Sequence, residues 1–279
     1  MRKKLSLAAT GAVALFALTA CGGDTPSAEE NTNEAGATIL EVGAVPVPHA
    51  EILEYVDENL AADAGIDLEI QEFDDYQTPN IALDEGSIDV NYYQHLPWLE
   101  EQMATKGYEF EHGAGIHIEP YSAFSKHETV EDIPDGGVVA ITNDPANQLR
   151  ALYLLEEAGL LQDIDDETTA LSITDEQNPK GLEFEENQPE VLVQISGDPQ
   201  IDLAILNGNY LLQAGMKTAD ALLVEDVSAD NQYANFLAWR AGESTEAIET
   251  LEELMQSDEV KEYIKETWPN GDVTPTEAS

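Results

Sequence analysis

From Ile39 onward, apolar residues alternate between strand-like and helix-like spacing. Ile39 to Val45 is a short apolar run, and Leu68-Glu69-Ile70 has the two-residue alternation of a strand. Between them, apolar residues recur at the 3.6-residue period of a helix, at Ile52, Leu53, Val56 and Leu60. This order predicts a strand–helix–strand unit, in which a helix covers one face of a parallel sheet.

The same alternation returns later in the chain. A strand predicted at 138–141 stops at Asn143-Asp144-Pro145, where Asp144 suits a helix N-cap and Pro145 the first helical position, and Gly159 suits the end of that helix. Further strands are predicted at 191–195, 202–206 and 235–239, and final helices at 248–255 and 260–264.

Repeated units of this kind predict an α/β chain with ligands at the carboxyl ends of its strands. About 240 residues follow Ile39, a length that suits two domains of ordinary size. We therefore expect two lobes, each a mainly parallel sheet flanked by helices. The chain should cross between them near 121–125 and again near 225–231, so that lobe 1 comprises 39–122 plus 229–279 and lobe 2 comprises 123–228.

The N-terminus has the three parts of a secretory signal: a basic cluster at 2–4, an apolar run from Leu5 to Thr19, and small residues before Cys21. The apolar run is shorter than the ~20 residues that span a bilayer, so residues 1–20 should be removed as a signal peptide. Leu18-Thr19-Ala20-Cys21 resembles the lipobox of bacterial lipoproteins. That resemblance implies lipid attachment, including palmitate, at Cys21 and a location on the extracytoplasmic face of the cell membrane.

Residues 21–38 are predicted to be a flexible tether, because 22–38 contain no large apolar residue to bury. Cys21 is the only cysteine, so the folded part has no disulfide.

The chain is strongly acidic, with 57 acidic and 11 basic residues. Three basic residues lie in the signal, which leaves eight and a formal charge of −49. This excludes a nucleic-acid partner and argues against an electrostatic membrane patch, since both need clustered Lys and Arg. We interpret the acidity as adaptation to a saline or alkaline habitat, where salt screens the repulsion between carboxylates.

Few residues point to chemistry on their own. Arg150 would lie in the second turn of the helix that opens at Asp144, where a guanidinium and helix amide groups can hold a carboxylate; the alternative is a surface ion pair. His95, His112 and His117 lack the spacing of a metal site, and no nucleophile motif is present. We expect no metal, no cofactor and no enzymatic activity.

Several motifs, taken in order, are similar to a known family, the methionine-binding lipoproteins of ABC importers, the MetQ or NlpA family. They are Phe73-Asp74-Asp75-Tyr76 with Pro79-Asn80-Ile81-Ala82-Leu83, Ile88-Asp89-Val90-Asn91 with Gln94-His95-Leu96-Pro97, His117-Ile118-Glu119-Pro120-Tyr121, Asn143-Asp144-Pro145 with Asn147 and Arg150, Asn178-Pro179-Lys180, and Ala204-Ile205-Leu206-Asn207 with Tyr210. The resemblance covers about 40–268. It implies the two-lobed periplasmic-binding-protein fold of type II, which closes on its ligand.

The resemblance also implies roles for single residues. Arg150 would hold the carboxylate of an amino acid and Asn207 its polar backbone atoms. Tyr76, Tyr93, His95 and His117 would surround the ligand side chain, and Asn147, Asn178 and Tyr210 would complete the site. The chain departs from some relatives at Tyr92 and Ala146.

The implied function is capture of methionine (L-methionine, and also D-methionine or a methionine dipeptide) by a monomer, which delivers it to an ABC permease and its ATPase. Three alternatives stay open at this point: a binding protein for another small amino acid, an extracytoplasmic enzyme, and a structural surface lipoprotein.

Overall fold

Two β-sheets covered by helices make up the computed structural model, which describes residues 31–227 and 232–276. The predicted signal peptide and Cys21 lie outside these residues. None of the described helices is long and apolar enough to cross a membrane.

The first sheet has seven strands in the order β12-β5-β11-β3-β1-β2, with β4 paired to β11. Its strands are β1 (Thr38–Ala44), β2 (Ile66–Glu72), β3 (Val90–His95), β4 (Phe110–His112), β5 (His117–Ile118), β11 (Asn235–Arg240) and β12 (Thr274–Pro275).

The second sheet has five strands in the order β10-β6-β9-β7-β8. They are β6 (Ser122–Ser125), β7 (Val138–Thr142), β8 (Glu183–Asn187), β9 (Leu203–Leu206) and β10 (Leu223–Val224).

Helices connect and cover these strands. The α-helices are α1 (Glu51–Val56), α2 (Ala62–Ala64), α3 (Thr78–Asp84), α4 (Leu96–Lys106), α5 (Pro145–Glu157), α6 (Pro189–Ile195), α7 (Gly208–Gln213), α8 (Glu246–Met255) and α9 (Asp258–Thr267). π-helical turns at Pro46–Ala50 and Asp57–Ala61 adjoin α1, and 3-10 turns occur at Val130–Asp132 and Thr218–Asp220.

The predicted α/β class, with two sheets flanked by helices, is confirmed, and the sheets are mixed rather than mainly parallel. β1 is parallel to β2 and β3, and β7 is parallel to β8 and β9. β6 and β11, however, run antiparallel to their neighbours β9 and β3. Among the described residues, no helix separates either strand from the strand of the other sheet that precedes it, so each is free to take the opposite direction.

The two-lobed arrangement follows from the two places where the chain changes sheet. β5 of the first sheet leads to β6 of the second through 119–121, and β10 of the second leads back to β11 of the first through 225–234, of which 228–231 are not described. Each sheet has its own apolar core: Val42, Ile52 and Leu251 belong to the first, and Leu152 and Ile205 to the second. The lobe boundaries given above stay a prediction.

Residues 191–195 form part of helix α6, so the strand predicted there is wrong. The run Val191-Leu192-Val193 is apolar but too short for periodicity to distinguish a strand from a helix. Pro189 lies in the first turn of α6, where its missing N–H costs nothing, and only the side chain of Leu192 in this run is fully buried.

The predicted tether is shorter than expected at its C-terminal end, because residues 31–37 fold against the body. Asn33 accepts backbone N–H bonds from Ala35 and Ala37, and its amide donates to Asp67 at 2.8 Å. Thr32 also pairs with Thr38. Side-chain hydrogen bonds to the backbone order this turn without the apolar burial whose absence led to the prediction.

Candidate functional site

A cavity of about 30 Å³ lies where the carboxyl ends of β1, β3 and β9 meet the connections between the sheets. This space holds about two water molecules, so a bound amino acid would need the lining side chains to move apart. The lining residues are His49, Tyr76, Tyr93, Gln94, His95, Trp98, Glu119, Tyr121, Asn147, Arg150, Asn207, Gly208, Asn209 and Asn235.

Six of the nine residues that the family resemblance assigns to ligand binding line this cavity. They are Tyr76, Tyr93, His95, Asn147, Arg150 and Asn207. His95 ends β3 and lies 3.0 Å from Asn147 Oδ1 on α5, and Asn207 donates to the same oxygen at 3.3 Å. The side chain of Asn147 on α5 thus contacts both His95 of the first sheet and Asn207, which follows β9 of the second.

One wall of the cavity is aromatic. Tyr93 donates to the carbonyl oxygen of Tyr76 at 3.0 Å and accepts from Trp98 Nε1 at 3.2 Å. The ring of Tyr76 lies 6.0 Å from the rings of both Tyr93 and Trp98. Such a wall presents ring faces and edges to a ligand and suits an apolar or thioether side chain.

Arg150 lies on α5, whose N-terminus is capped as predicted: Asp144 Oδ1 accepts from the N–H of Asn147 at 2.8 Å. The guanidinium is buried, and its Nε and Nη2 donate to the carboxylate of Glu225 at 2.9 Å and 2.5 Å. Nη2 also donates to the carbonyl oxygen of Glu119 at 2.8 Å. A ligand carboxylate would therefore meet the guanidinium from its Nη1 side.

The partners of Arg150 come from both connections between the sheets. Glu119 and Tyr121 belong to the first connection, and Glu225 and Tyr233 to the second. The guanidinium carbon lies 4.5 Å from the ring centre of Tyr121 and 4.3 Å from that of Tyr233. Arg150 is therefore more than a surface arginine with an acidic neighbour, because it joins both connections at the edge of the cavity.

Eight cavity residues were absent from the predicted site: His49, Gln94, Trp98, Glu119, Tyr121, Gly208, Asn209 and Asn235. His49 follows the carboxyl end of β1, a position at which ligands bind in α/β sheets, so its place in the sequence carried a signal. Asn235 begins the antiparallel strand β11, and its position depends on long-range pairing that local sequence does not show.

His49, His117 and Glu119 form a buried cluster behind and beside the cavity. His117 Nε2 lies 2.9 Å and His49 Nε2 3.4 Å from Glu119 Oε1, and His49 Nε2 is 3.1 Å from Asn235 Oδ1. Burial lowers the pKa of His49 to about 4 and that of His117 to about 3. Both imidazoles are neutral near pH 7, so the contact of His117 with Glu119 is a hydrogen bond between a neutral ring and a carboxylate, and His49 bonds the amide oxygen of Asn235.

The ligand atoms of this cluster lie within 4.8 Å of one another, a separation that would also admit a metal ion. His117 bonds Glu119 and His49 bonds Asn235, so we assign the contacts of these side chains to hydrogen bonds. The absence of a metal stays a prediction.

Three lining residues present buried polar atoms that lack a hydrogen-bond partner among the described residues: His49 Nδ1, the hydroxyl of Tyr121 and Asn207 Oδ1. A buried polar atom without a partner costs about 1–3 kcal/mol. Their convergence on one cavity indicates a polar ligand that supplies both donors and acceptors.

Three residues of the predicted site do not line the cavity. His117 lies behind it and contacts Glu119. Tyr210 donates to the carbonyl oxygen of Asp74 at 3.0 Å and packs 5.2 Å from the ring of Tyr76. Asn178 bonds the backbone of Leu182 in both directions and shapes a turn in the second sheet's lobe. The structure thus places Asn178 apart from the cavity, because its amide is used to close that turn.

The sequence of the chain is similar to a known protein family over most of its length. The profile of the family described as NlpA lipoprotein matches residues 40–277. The chain belongs to the NlpA lipoprotein family. It is 35% identical over 279 residues to the methionine-binding lipoprotein MetQ of Bacillus subtilis, with 98% of each chain covered.

Two solved structures of similar proteins extend the family comparison. A lipoprotein from Actinomyces odontolyticus is 44% identical with a TM-score of 0.79, covering 85% of this chain and 98% of the other. A nutrient-binding protein from Burkholderia cenocepacia, bound to methionine, is 33% identical with a TM-score of 0.79, covering 85% of this chain and 100% of the other. The two-lobed fold expected for this NlpA-family chain agrees with both.

Proposed function

We propose that this NlpA-family lipoprotein captures methionine in the cavity between its sheets and delivers it to an ABC transporter. The observation that carries the proposal is the convergence of unpartnered polar atoms and a guanidinium beside an aromatic wall. The similar protein from Burkholderia cenocepacia that is bound to methionine supports the choice of ligand.

The two ends of an α-amino acid match two groups of cavity residues. Arg150 and the hydroxyl of Tyr121 offer donors for a carboxylate. Glu119, Asn207 Oδ1 and His49 Nδ1 offer acceptors for an ammonium group. Pairing both charges of a zwitterion offsets the cost of taking them out of water.

The methionine side chain would lie against the aromatic wall. Tyr76, Tyr93 and Trp98 supply the rings, and a thioether packs favourably at ring edges. His95 lies beside this wall, and burial together with Arg150 lowers its pKa to about 3, so it brings no charge to the ligand side chain. The wall therefore favours an uncharged side chain.

Closure of the two lobes would hold the ligand. Tyr76 on the first lobe bonds Asn209 Oδ1 on the second, and Tyr210 on the second bonds the backbone of Asp74 on the first. These contacts cross the mouth of the cavity. Release would need them to break, which fits a delivery cycle in which a membrane permease, driven by an ATPase, opens the protein.

The anchor and the oligomeric state belong to the same proposal. Lipid on Cys21 would hold the monomeric protein on the extracytoplasmic face of the cell membrane, with the residues after Cys21 as its tether. The relatives named as lipoproteins support this placement. The tether sets how far the folded body reaches toward the permease.

Mass spectrometry of the small molecule released from gently purified, then denatured, protein tests the ligand. Methionine in near-stoichiometric amount supports the proposal. Release of another amino acid would support the binding role but assign a different ligand. An empty cavity that neither binds nor converts any amino acid would favour the structural alternative, and turnover of an added substrate would favour an enzyme.

A further inference from the structure

A chain of buried hydrogen bonds leads from β3 through β5 to the cavity. The hydroxyl of Tyr92 contacts His117 Nδ1, and His117 Nε2 lies 2.9 Å from Glu119 Oε1. All three side chains are buried: Tyr92 and His117 are 0% exposed and Glu119 is 6% exposed. Only Glu119 lines the cavity.

The direction of these bonds follows from charge. An ionised carboxylate only accepts, so His117 Nε2 must carry the proton that it donates to Glu119. His117 Nδ1 then has a free lone pair and accepts from the hydroxyl of Tyr92. In this series of hydrogen bonds, Tyr92 therefore donates to His117, and His117 donates to Glu119.

We propose that Tyr92 and His117 are positioning residues that hold Glu119 ionised and in place as the acceptor for the ammonium group of the ligand. This inference rests on the proposed function, because it assigns one end of the same cavity. It makes a free ammonium group a requirement for tight binding, which neither the family motifs nor the aromatic wall specifies.

Glu119 needs such support because burial disfavours its charge. Burial raises the pKa of Glu119, while His49 and Arg150 and a backbone N–H of Asn209 act in the opposite direction. Each hydrogen bond from His117 to the ionised form adds to that opposition. A ligand ammonium group would complete the charge pairing and lower the pKa further.

Titratable and charged groups face Glu119 from several elements. His49 approaches from the turn after β1, His117 and Tyr92 from the first sheet, Arg150 from α5, and Tyr76 from the segment before α3. Glu225 pairs with Arg150 on its far side. The pKa of each histidine is depressed to about 3 or 4 and burial raises the pKa of both tyrosines, whereas burial raises the pKa of Glu119 toward neutral pH. Glu119 is therefore the member of this group whose ionisation can control binding.

The affinity for methionine should consequently depend on pH in a defined direction. Glu119 accepts from the ammonium group only when ionised. Affinity is then full above the pKa of ligand-free Glu119 and falls as the pH drops below it, by about tenfold per pH unit. Removing a donor from the chain raises that pKa and moves the fall to higher pH.

Calorimetric titration of methionine into wild type and Tyr92→Phe, between about pH 5 and about pH 7.5, tests the proposal. At the upper end of this pH range, we expect Tyr92→Phe to bind methionine within about threefold of the wild-type affinity. At the lower end, it should bind roughly tenfold more weakly than wild type. Loss of one supporting hydrogen bond shifts the midpoint of the pH profile by about one pH unit. Glu119→Gln, which cannot ionise, should bind more weakly throughout and lose the pH dependence.

Tyr263→Phe is the matched control, because its hydroxyl bonds the backbone carbonyl of Glu51 and the side chain of Thr267, and Tyr263 does not line the cavity. It should reproduce the wild-type pH profile. Equal weakening of Tyr92→Phe at every pH would show a merely structural role and overturn the proposal, as would an unchanged profile. If Tyr92→Phe fails to fold, as judged by its thermal melt, His117→Phe replaces it: this variant removes the hydrogen bond that Glu119 accepts, so a shift in the same direction is expected.

A further comparison separates this inference from the proposed function. If wild type binds neither methionine nor another amino acid, the function fails. If wild type binds methionine but binds the analogue with a hydrogen in place of the ammonium group equally well, the function stands and the role of Glu119 is overturned.

Discussion

At the scale of single residues, Arg150 contacts both connections between the sheets at the edge of the cavity. Its guanidinium bonds Glu225 and the backbone of Glu119 and lies between the rings of Tyr121 and Tyr233. Because these partners come from both connections between the sheets, Arg150 links the edge of the cavity to the segments about which the lobes would move.

Replacing Arg150 with Ala should weaken methionine binding by several kcal/mol, which is about a hundredfold or more, and lower the melting temperature. Removing one member of a buried ion pair typically costs about 3–5 kcal/mol, because the other charge is left unpaired. Arg150→Lys should be intermediate, since lysine keeps the charge but cannot form the two-pronged contact with Glu225. Calorimetry and a thermal melt measure the two effects separately.

Arg240 supplies the matched control, as the other arginine after Cys21. It bonds the carbonyl oxygens of Leu83 and Ile88 and lies outside the cavity. Arg240→Ala should lower the melting temperature and leave methionine affinity unchanged. Unchanged affinity in Arg150→Ala would contradict the role given to Arg150.

Sequence reasoning located much of the cavity but not its acidic end. Tyr76, Tyr93 and His95 come from continuous motifs, so the family resemblance finds them directly. Glu119 was part of a quoted motif, yet its role depends on contacts with His49 and Asn209, which lie far from it along the chain. Contacts of this kind arise from strand pairing and connection geometry rather than from local pattern.

At the scale of elements, the start of α7 approaches the first connection between the sheets very closely. A Cβ atom at Gly208 would lie 2.5 Å from Glu119 Cβ and 3.0 Å from Glu119 Oε2. Only glycine allows α7 to come this near, and the same approach brings the N–H of Asn209 to the carboxylate of Glu119.

Gly208→Ala should therefore weaken methionine binding by roughly tenfold, because overpacking of this kind typically costs about 1–3 kcal/mol. The added methyl group would push α7 away from Glu119 and open the cavity. Gly197→Ala is the control, since a Cβ there meets no atom within 4 Å. Equal affinity of the two variants, measured by calorimetry, would show that the close approach is not needed for binding.

Element prediction from sequence worked where several signals agreed. Helix α5 has a capping aspartate, a proline in its first turn and an apolar face, and its predicted start is confirmed. Helix α6 has only seven residues and one fully buried side chain among Val191, Leu192 and Val193, so its apolar run resembled a strand. Short apolar runs leave the choice to tertiary packing.

At the scale of the whole molecule, two features were not readable from the pattern of elements. The alternation of strands and helices predicted two α/β sheets, but the antiparallel strands β6 and β11 follow from the points at which the chain changes sheet. The net charge of −46 over the full chain is a second whole-molecule property, since no single element accounts for it.

This charge predicts that the protein melts at a lower temperature in dilute buffer than in salt. Repulsion between carboxylates destabilises the compact state until salt screens it, and the screening length falls to about 3 Å at about 1 M salt. We expect the melting temperature to rise by roughly 5 °C with added NaCl, which corresponds to a small change in unfolding free energy.

Thermal melts at increasing NaCl concentration measure the effect, with sucrose as the control for water exclusion. Screening levels off once repulsion is removed, whereas an excluded solute continues to stabilise as its concentration rises. A melting temperature that is no lower in dilute buffer than in molar salt would contradict the interpretation of the acidity.

Calorimetric titration of L-methionine into protein that has been unfolded, freed of ligand and refolded tests the central claim most directly. The account predicts saturable binding of one methionine per chain and a melting temperature that rises with methionine concentration, because a ligand that binds only the folded state stabilises it. No heat of binding and no rise in melting temperature up to about 10 mM methionine would contradict it.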